Sequence, residues 1–160
     1  MRKRVGPNEQ VTLNAIIKKA RNFKIFKQNK NEGETYFNNL LINVIRQGSD
    51  IENKNIHSAK FVGETFRPEC YVKGAGSIPL CAFECKKLSE KAAKSRWKDG
   101  LSQAILYSHF YKAVILMFYD YTKDSRYAAA FSNKRSIEFQ FAESLREAFR
   151  IYIVVIKPER

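Results

Sequence analysis

At 160 residues, 44% of them hydrophobic and 13% aromatic, the chain can bury one substantial core and is too short for two comfortable domains. Its 29 Lys and Arg against 16 Asp and Glu leave a net charge of +13 and a pI near 9.8, a field that draws polyanions, nucleic acid first and an acidic membrane surface second. Several classes are disfavoured at once: no apolar run approaches the roughly 20 residues of a spanning helix, and the start MRKRVGPNEQ–VTLNAIIKKA never sustains the apolar core of a signal peptide.

Cysteine usage points to compartment. Cys70, Cys81 and Cys85 are odd in number and form no Cys-x-x-Cys pair, and only His57 and His109 could join them, so a structural zinc is not expected. They read as small core residues in a reducing, cytoplasmic interior.

In chain order, residues 1–30 form a basic N-terminal arm and residues 31–160 a single domain. Arg2, Lys3, Arg4, Lys18, Lys19, Arg21, Lys24, Lys27 and Lys30 oppose only Glu9 in that arm, a net of +8 that is either a solvated face or a nucleic-acid-binding surface. Val11, Leu13, Ile16, Ile17 and Ala20 approach helical spacing within it. A second amphipathic helix begins near Glu34, with Phe37, Leu40, Leu41, Val44 and Ile45 on its apolar face and Gly48 as its stop.

After a polar loop, AKFVGETF is expected as one strand and ECYV as another, with Pro68 interrupting the ladder between them. KGAGSIP is a turn, and LCAFECKK is the central strand. SEKAAKSRWKDGLSQAILYSHFY is expected as a helix, with Gly100 a candidate bend. KAVILMFYDY follows as a fully buried strand, joined to LCAFECKK by a parallel crossover. TKDSRYAAAFSNKRS is expected as a hairpin or loop. IEFQFAESLREAFR is a helix with Ile137, Phe141, Leu145 and Phe149 on one stripe, and IYIVVI is a last strand. The order defines an α/β fold with a mixed central sheet flanked by helices.

The chemistry concentrates on LCAFECKK. Alternation sends Cys81, Phe83 and Cys85 to one side and Glu84 and Lys86 to the other, the latter two about 7 Å apart on a face expected to be polar and open. They either pair as a structural salt bridge or border a site, because buried charges without partners cost several kcal/mol. Glu69 opens the preceding strand, and two carboxylates on adjacent strands suit a hard cation such as Mg²⁺. Gln103 and Tyr107 lie four apart on one helix face.

Pro68-Glu69, then Glu84-Cys85-Lys86, then Gln103-Ala104-Ile105-Leu106-Tyr107 resemble the PD-(D/E)xK nuclease superfamily, in the RecB-like and Holliday-junction-resolvase-like branch with its Gln-x-x-x-Tyr helix. The order of the elements carries the resemblance, which covers about residues 34 to 120. It implies a restriction-endonuclease-like fold and metal-dependent hydrolysis of DNA phosphodiesters. Glu69, Glu84, Lys86 and Gln103 would be catalytic. Glu69, Glu84 and the main-chain carbonyl of Cys85 would hold Mg²⁺ or Mn²⁺, with Glu34 as an outer ligand or simply an acid favoured by the helix dipole.

The upstream acid is Glu where the superfamily more often has Asp, and Glu64 is the alternative for that position. Arg67, Lys94, Arg96, Lys98 and Tyr107 would contact DNA, with Lys91 along the same edge. Trp97 would stack on a base or belong to the core. Three cysteines instead of four disfavour the iron–sulfur exonucleases of that branch. A small resolvase, a restriction-like endonuclease, or a virus- or mobile-element-encoded nuclease fits the size, and IYIVVI could supply a homodimer edge. The competing class is a nucleic-acid-binding module that keeps the fold without cutting.

Overall fold

The computed structural model describes residues 3–53 and 59–160; Arg2 and His57 lie outside them. Helix α1 (Pro7–Arg21) starts where Pro7 presets the first turn and Glu9 reaches back to accept from the Gly6 amide at 3.0 Å. Its buried face, Leu13, Ile16, Ile17 and Ala20, packs into the same core as the sheet, so the basic arm of the sequence reading is part of the domain. Helix α2 (Glu34–Arg46) buries Phe37, Asn38, Leu41 and Ile45, while Leu40 and Val44 stay largely in water; its apolar stripe is narrower than the spacing implied.

Five strands form the main sheet in the order β1 (Ile51–Asn53), β4 (Cys70–Val72), β5 (Cys81–Leu88), β6 (Ala113–Asp120) and β7 (Ile151–Ile156). The first three are antiparallel, and β5, β6 and β7 are parallel. Helix α3 (Ala93–Ser108) is the crossover from β5 to β6, as the sequence predicts, and LCAFECKK is the central strand.

One face of the sheet, with Cys81, Phe83, Cys85, Ile115 and Met117, packs on α1 and α2. The other, with Ala82, Val114, Leu116 and Phe118, packs on α3. β6 is buried along its whole length, and each of its Val, Ile, Leu, Met and Phe side chains stabilises the fold by roughly 1.5–3 kcal/mol.

Three local readings are corrected. AKFVGETF is a separate hairpin, β2 (Ala59–Phe61) and β3 (Glu64–Phe66), because Val62 and Gly63 both take positive φ (51° and 80°) and reverse the chain. Gly100 does not bend α3: the helix is continuous, and a Cβ there would lie 3.1 Å from Leu116 and from Lys86 Cγ, so the glycine lets α3 settle directly onto the sheet.

The segment after β6 is helical rather than a loop or hairpin. In α4 (Arg126–Ser132), the buried Asp120 accepts from the Ala128 amide at 2.8 Å and from the Thr122 amide at 3.1 Å, anchoring both ends of the connection. α5 (Ile137–Phe149) is the helix the sequence predicts; of its stripe Leu145 is buried, Phe141 and Phe149 are partly exposed, and Ile137 is 80% exposed. The two ends of the fold meet where Phe26 bridges Glu159: Lys27 N donates to Glu159 O at 3.0 Å, and Glu159 N to Ile25 O at 2.8 Å.

Candidate active site

Glu84 and Lys86 do share a face of β5, and the cysteines share the other. The face is not open. With Gly100 letting α3 close on it, Glu84 is 1% and Lys86 7% exposed. Lys86 Nζ donates to Glu84 Oε1, while Glu84 Oε2 is buried and closes no hydrogen bond among the described residues. A buried carboxylate oxygen without a partner is costly and marks a place where a cation or donor fits.

Glu69 stands one residue beyond the Cys70–Phe83 register pair, its amide donating to Phe83 O at 2.9 Å, which sets it beside Glu84 across the antiparallel ladder. Burial pushes the Glu84 carboxyl up to about 7 against the pull of Lys86, and the charges of Glu69 and Glu34 add to the rise. Three carboxylates therefore act on one another here. Glu64, the alternative acid, is exposed on the β2–β3 hairpin and has no place in this group.

Glu34, at the first turn of α2, reaches the same end of β5. Its Oε2 accepts from the Lys87 amide at 2.7 Å, and its Oε1 pairs with the Arg96 guanidinium. Both carboxylate oxygens are thus engaged by the chain itself. Lys87 points to the opposite face, as alternation requires, where its ammonium bonds the carbonyls of Lys30 and Glu32 over the rings of Phe37 and Tyr121. The Cys85 thiol also faces that side; burial raises its pKa well above the ordinary range, so it is inert as a nucleophile, and only its carbonyl could serve the site.

From α3, Gln103 and Tyr107 come down onto the site. Gln103 Oε1 is buried without a hydrogen-bond partner. Tyr107 is fully buried, which removes it from the set of DNA-contacting residues: the small Gly100 and Ala104 draw this stretch of helix against the sheet. Burial, with the charge of Glu84 and the approach of its carboxylate to the hydroxyl, raises the Tyr107 pKa, although the pair does not close to full hydrogen-bond geometry.

Arg67, Lys91, Lys94 and Lys98 are exposed, whereas Arg96 is half-buried against Glu34. Trp97 sits among Phe118, Tyr127 and Phe131, with ring centroids 4.7, 6.3 and 5.1 Å away, and is a packing residue. The Glu34–Arg96 pair was missed by sequence reading, since 62 positions separate its members and no local signal joins them.

The unpartnered Glu84 oxygen, the neighbouring Glu69 and the hard oxygen chemistry of this set fit a divalent cation. Among the described residues no three His, Cys, Asp or Glu side chains are gathered closely enough to hold one by themselves, so any such ion would draw on main-chain oxygen, water or substrate as well. Among the same residues no helix is long and apolar enough to cross a membrane. Compared with protein-family models, with curated proteins and with solved structures, the chain has no match. What stands is an α/β fold whose mixed sheet carries a buried acid–lysine pair under its crossover helix.

Proposed function

We propose that this chain is a Mg²⁺- or Mn²⁺-dependent deoxyribonuclease hydrolysing phosphodiester bonds, in keeping with its resemblance to the PD-(D/E)xK superfamily. The observation that carries the reading is Glu84: one carboxylate oxygen holds Lys86, and the other is buried and unpartnered beside Glu69. A structural salt bridge alone explains the first contact and leaves the second oxygen with no closed hydrogen bond, only the Tyr107 hydroxyl lying near the carboxylate.

Glu84 and Glu69, with the Cys85 carbonyl, would hold the metal, and Glu34 would stand behind them. When bound, the ion would polarise the scissile phosphate and acidify a water. Lys86, oriented by Glu84, would offer its ammonium to that water or to the charge growing on the phosphate. Gln103, whose amide both donates and accepts, would orient the same water. Lys91, Lys94 and Lys98 would neutralise phosphates along the outer edge of α3, giving binding that weakens as salt rises. The buried, free cysteines accord with a reducing cytoplasmic setting.

The second reading, a nucleic-acid-binding module without activity, draws on the near-complete burial of Glu84 and Lys86 and their mutual pairing. Purified protein incubated with supercoiled, linear and four-way-junction DNA decides between the two. Cleavage that needs Mg²⁺ or Mn²⁺, stops in EDTA, and disappears in Glu84→Ala and Lys86→Ala is the expected result. Cleavage in EDTA, or cleavage untouched by both substitutions, sinks the nuclease reading; gel shifts without cleavage in either metal establish the binding module.

A further inference from the structure

We propose that the β2–β3 hairpin is a wedge that inserts Phe61 and Val62 into the base stack of DNA, which directs the site to duplexes with a weakly stacked step such as a mismatch or branch. The proposal rests on the nuclease reading for where the DNA lies.

Among the described residues the two strands of the hairpin pair only with each other, outside the five-stranded sheet. Its tip is the most conspicuous apolar exposure of the described chain: Phe61 is 58% and Val62 86% exposed. The turn chemistry makes this choice costly. A two-residue turn with both φ values positive is best served by Asn or Asp followed by Gly, and the second position is indeed Gly63. The first is Val62, a β-branched residue at φ 51°, where such residues are outliers. Val62 is therefore strained and displays apolar surface to water at once. Both costs have one explanation if the tip is covered by an apolar partner in use.

The partner is indicated by charge and position. Exposed Lys60 sits beside the tip and exposed Arg67 at the base of the hairpin, against the single exposed carboxylate of Glu64, on a chain of net charge +13. Phe66, the last residue of β3, packs into the α3-side cluster that contains Tyr71 and Tyr107, so the hairpin springs from the face that carries Glu84. Glu69 follows three residues later. Phe61 lies opposite Glu64, two residues from Phe66 along the hairpin, so the tip stands two to three residues, about 7–10 Å at roughly 3.3 Å each, beyond Phe66. Along DNA that is about two or three base steps of roughly 3.4 Å. Basic residues grip the phosphates, and an apolar wedge of Phe and Val unstacks a step and kinks the duplex, most cheaply where pairing is already defective. Cleavage is then expected about two or three nucleotides from the opened step.

The test uses the full chain in EDTA, so that no cutting is required. A duplex carries 2-aminopurine next to a mismatch, and anisotropy reports binding while 2-aminopurine fluorescence reports unstacking. The wild-type protein should bind and raise the fluorescence. Phe61→Ser/Val62→Ser should bind the mismatched duplex roughly tenfold more weakly, without the rise. Val62→Asn, which suits the turn better, should keep or raise Tm and still lose much of the rise, which separates wedge from folding.

Binding by the wild type without a fluorescence rise, or a full rise in the double variant, overturns the wedge; so does tip-dependent binding to anionic vesicles with no effect on DNA. A fluorescence rise in Lys86→Ala supports the wedge independently of catalysis. A rise with no cleavage in Mg²⁺ or Mn²⁺ supports the wedge while overturning the nuclease.

Discussion

The Glu34 carboxylate accepts a hydrogen bond from the main-chain amide of Lys87 at 2.7 Å, fastening the first turn of α2 to the strand that carries Glu84 and Lys86. The Arg96 guanidinium on its other oxygen joins α3 to the same point. Three elements that meet around the buried acid thus share one carboxylate.

Glu34→Ala should therefore cost more than a surface substitution, on the order of 1–3 kcal/mol, because it strands a partly buried amide as well as an arginine. Glu34→Gln, which keeps an acceptor for Lys87, should lose less. Urea unfolding of the two variants checks the order; equal losses would mean that the ion pair alone matters.

At the centre of the site, Lys86→Met should destabilise by roughly 3–5 kcal/mol, since it leaves Glu84 buried beside Glu69 with no cation. Adding Glu84→Gln should recover a substantial part, whereas independent effects would simply add. Both single variants should lower cleavage by at least about 100-fold. A double-mutant cycle in unfolding free energy, with turnover measured on the same samples, separates the structural and catalytic shares.

The pH dependence follows from the direction of the Glu84 shift. Its folded pKa, about 7, lies above the ordinary carboxylate value, so the folded state binds the proton more tightly. Without metal, stability should fall as pH rises from about 4.5 through 7, by an order of 2–3 kcal/mol for this group. Glu84→Gln should flatten that slope, and denaturation from pH 5 to 8 measures it.

Glu9 behaves in the opposite sense. It accepts from Lys112 Nζ at 2.6 and 2.7 Å and from the Gly6 and Ala75 amides at 3.0 and 2.8 Å, clasping α1 to the turn before β5 and to the start of β6. Although burial opposes it, these donors hold the carboxyl down at about 2. Its contribution is present above about 4.5 and is lost as pH falls toward 2, worth on the order of 1–2 kcal/mol after screening by solvent. Glu9→Gln should lower Tm at pH 7 and have little effect at pH 2.5. Gly74→Ala should disturb the same clasp, as its Cβ would fall 2.6 Å from Ile78 O and 2.9 Å from Glu9 Oε1.

How far the sequence spoke depended on whether the cause was local. The β5–α3–β6 unit was legible because alternation in CAFEC and the unbroken apolar run of β6 are imprinted residue by residue. The placement of Glu69 beside Glu84 followed from the turn between their strands. α4 escaped notice because seven residues are too few to show a period, and its anchor Asp120 lies in the preceding strand. The hairpin was read as one strand because Val62 is a strand former occupying a turn position. Burial of the acid–lysine pair depended on Gly100, whose role as a seat for α3 resembles, in sequence, a simple helix weakener. The exposure of α5's stripe was set by tertiary position, which periodicity does not report.

The bridge between Phe26 and Glu159 has a consequence for biosynthesis. α1 and α2 leave the ribosome before the strand that completes their core and the residue that secures the 25–27 segment. While residue 159 remains in the exit tunnel, the apolar faces of both helices have no finished sheet to cover them. The nascent chain should engage chaperones through α1 and α2, and this core should acquire protease resistance only in an abrupt step once β7 and Glu159 have left the tunnel.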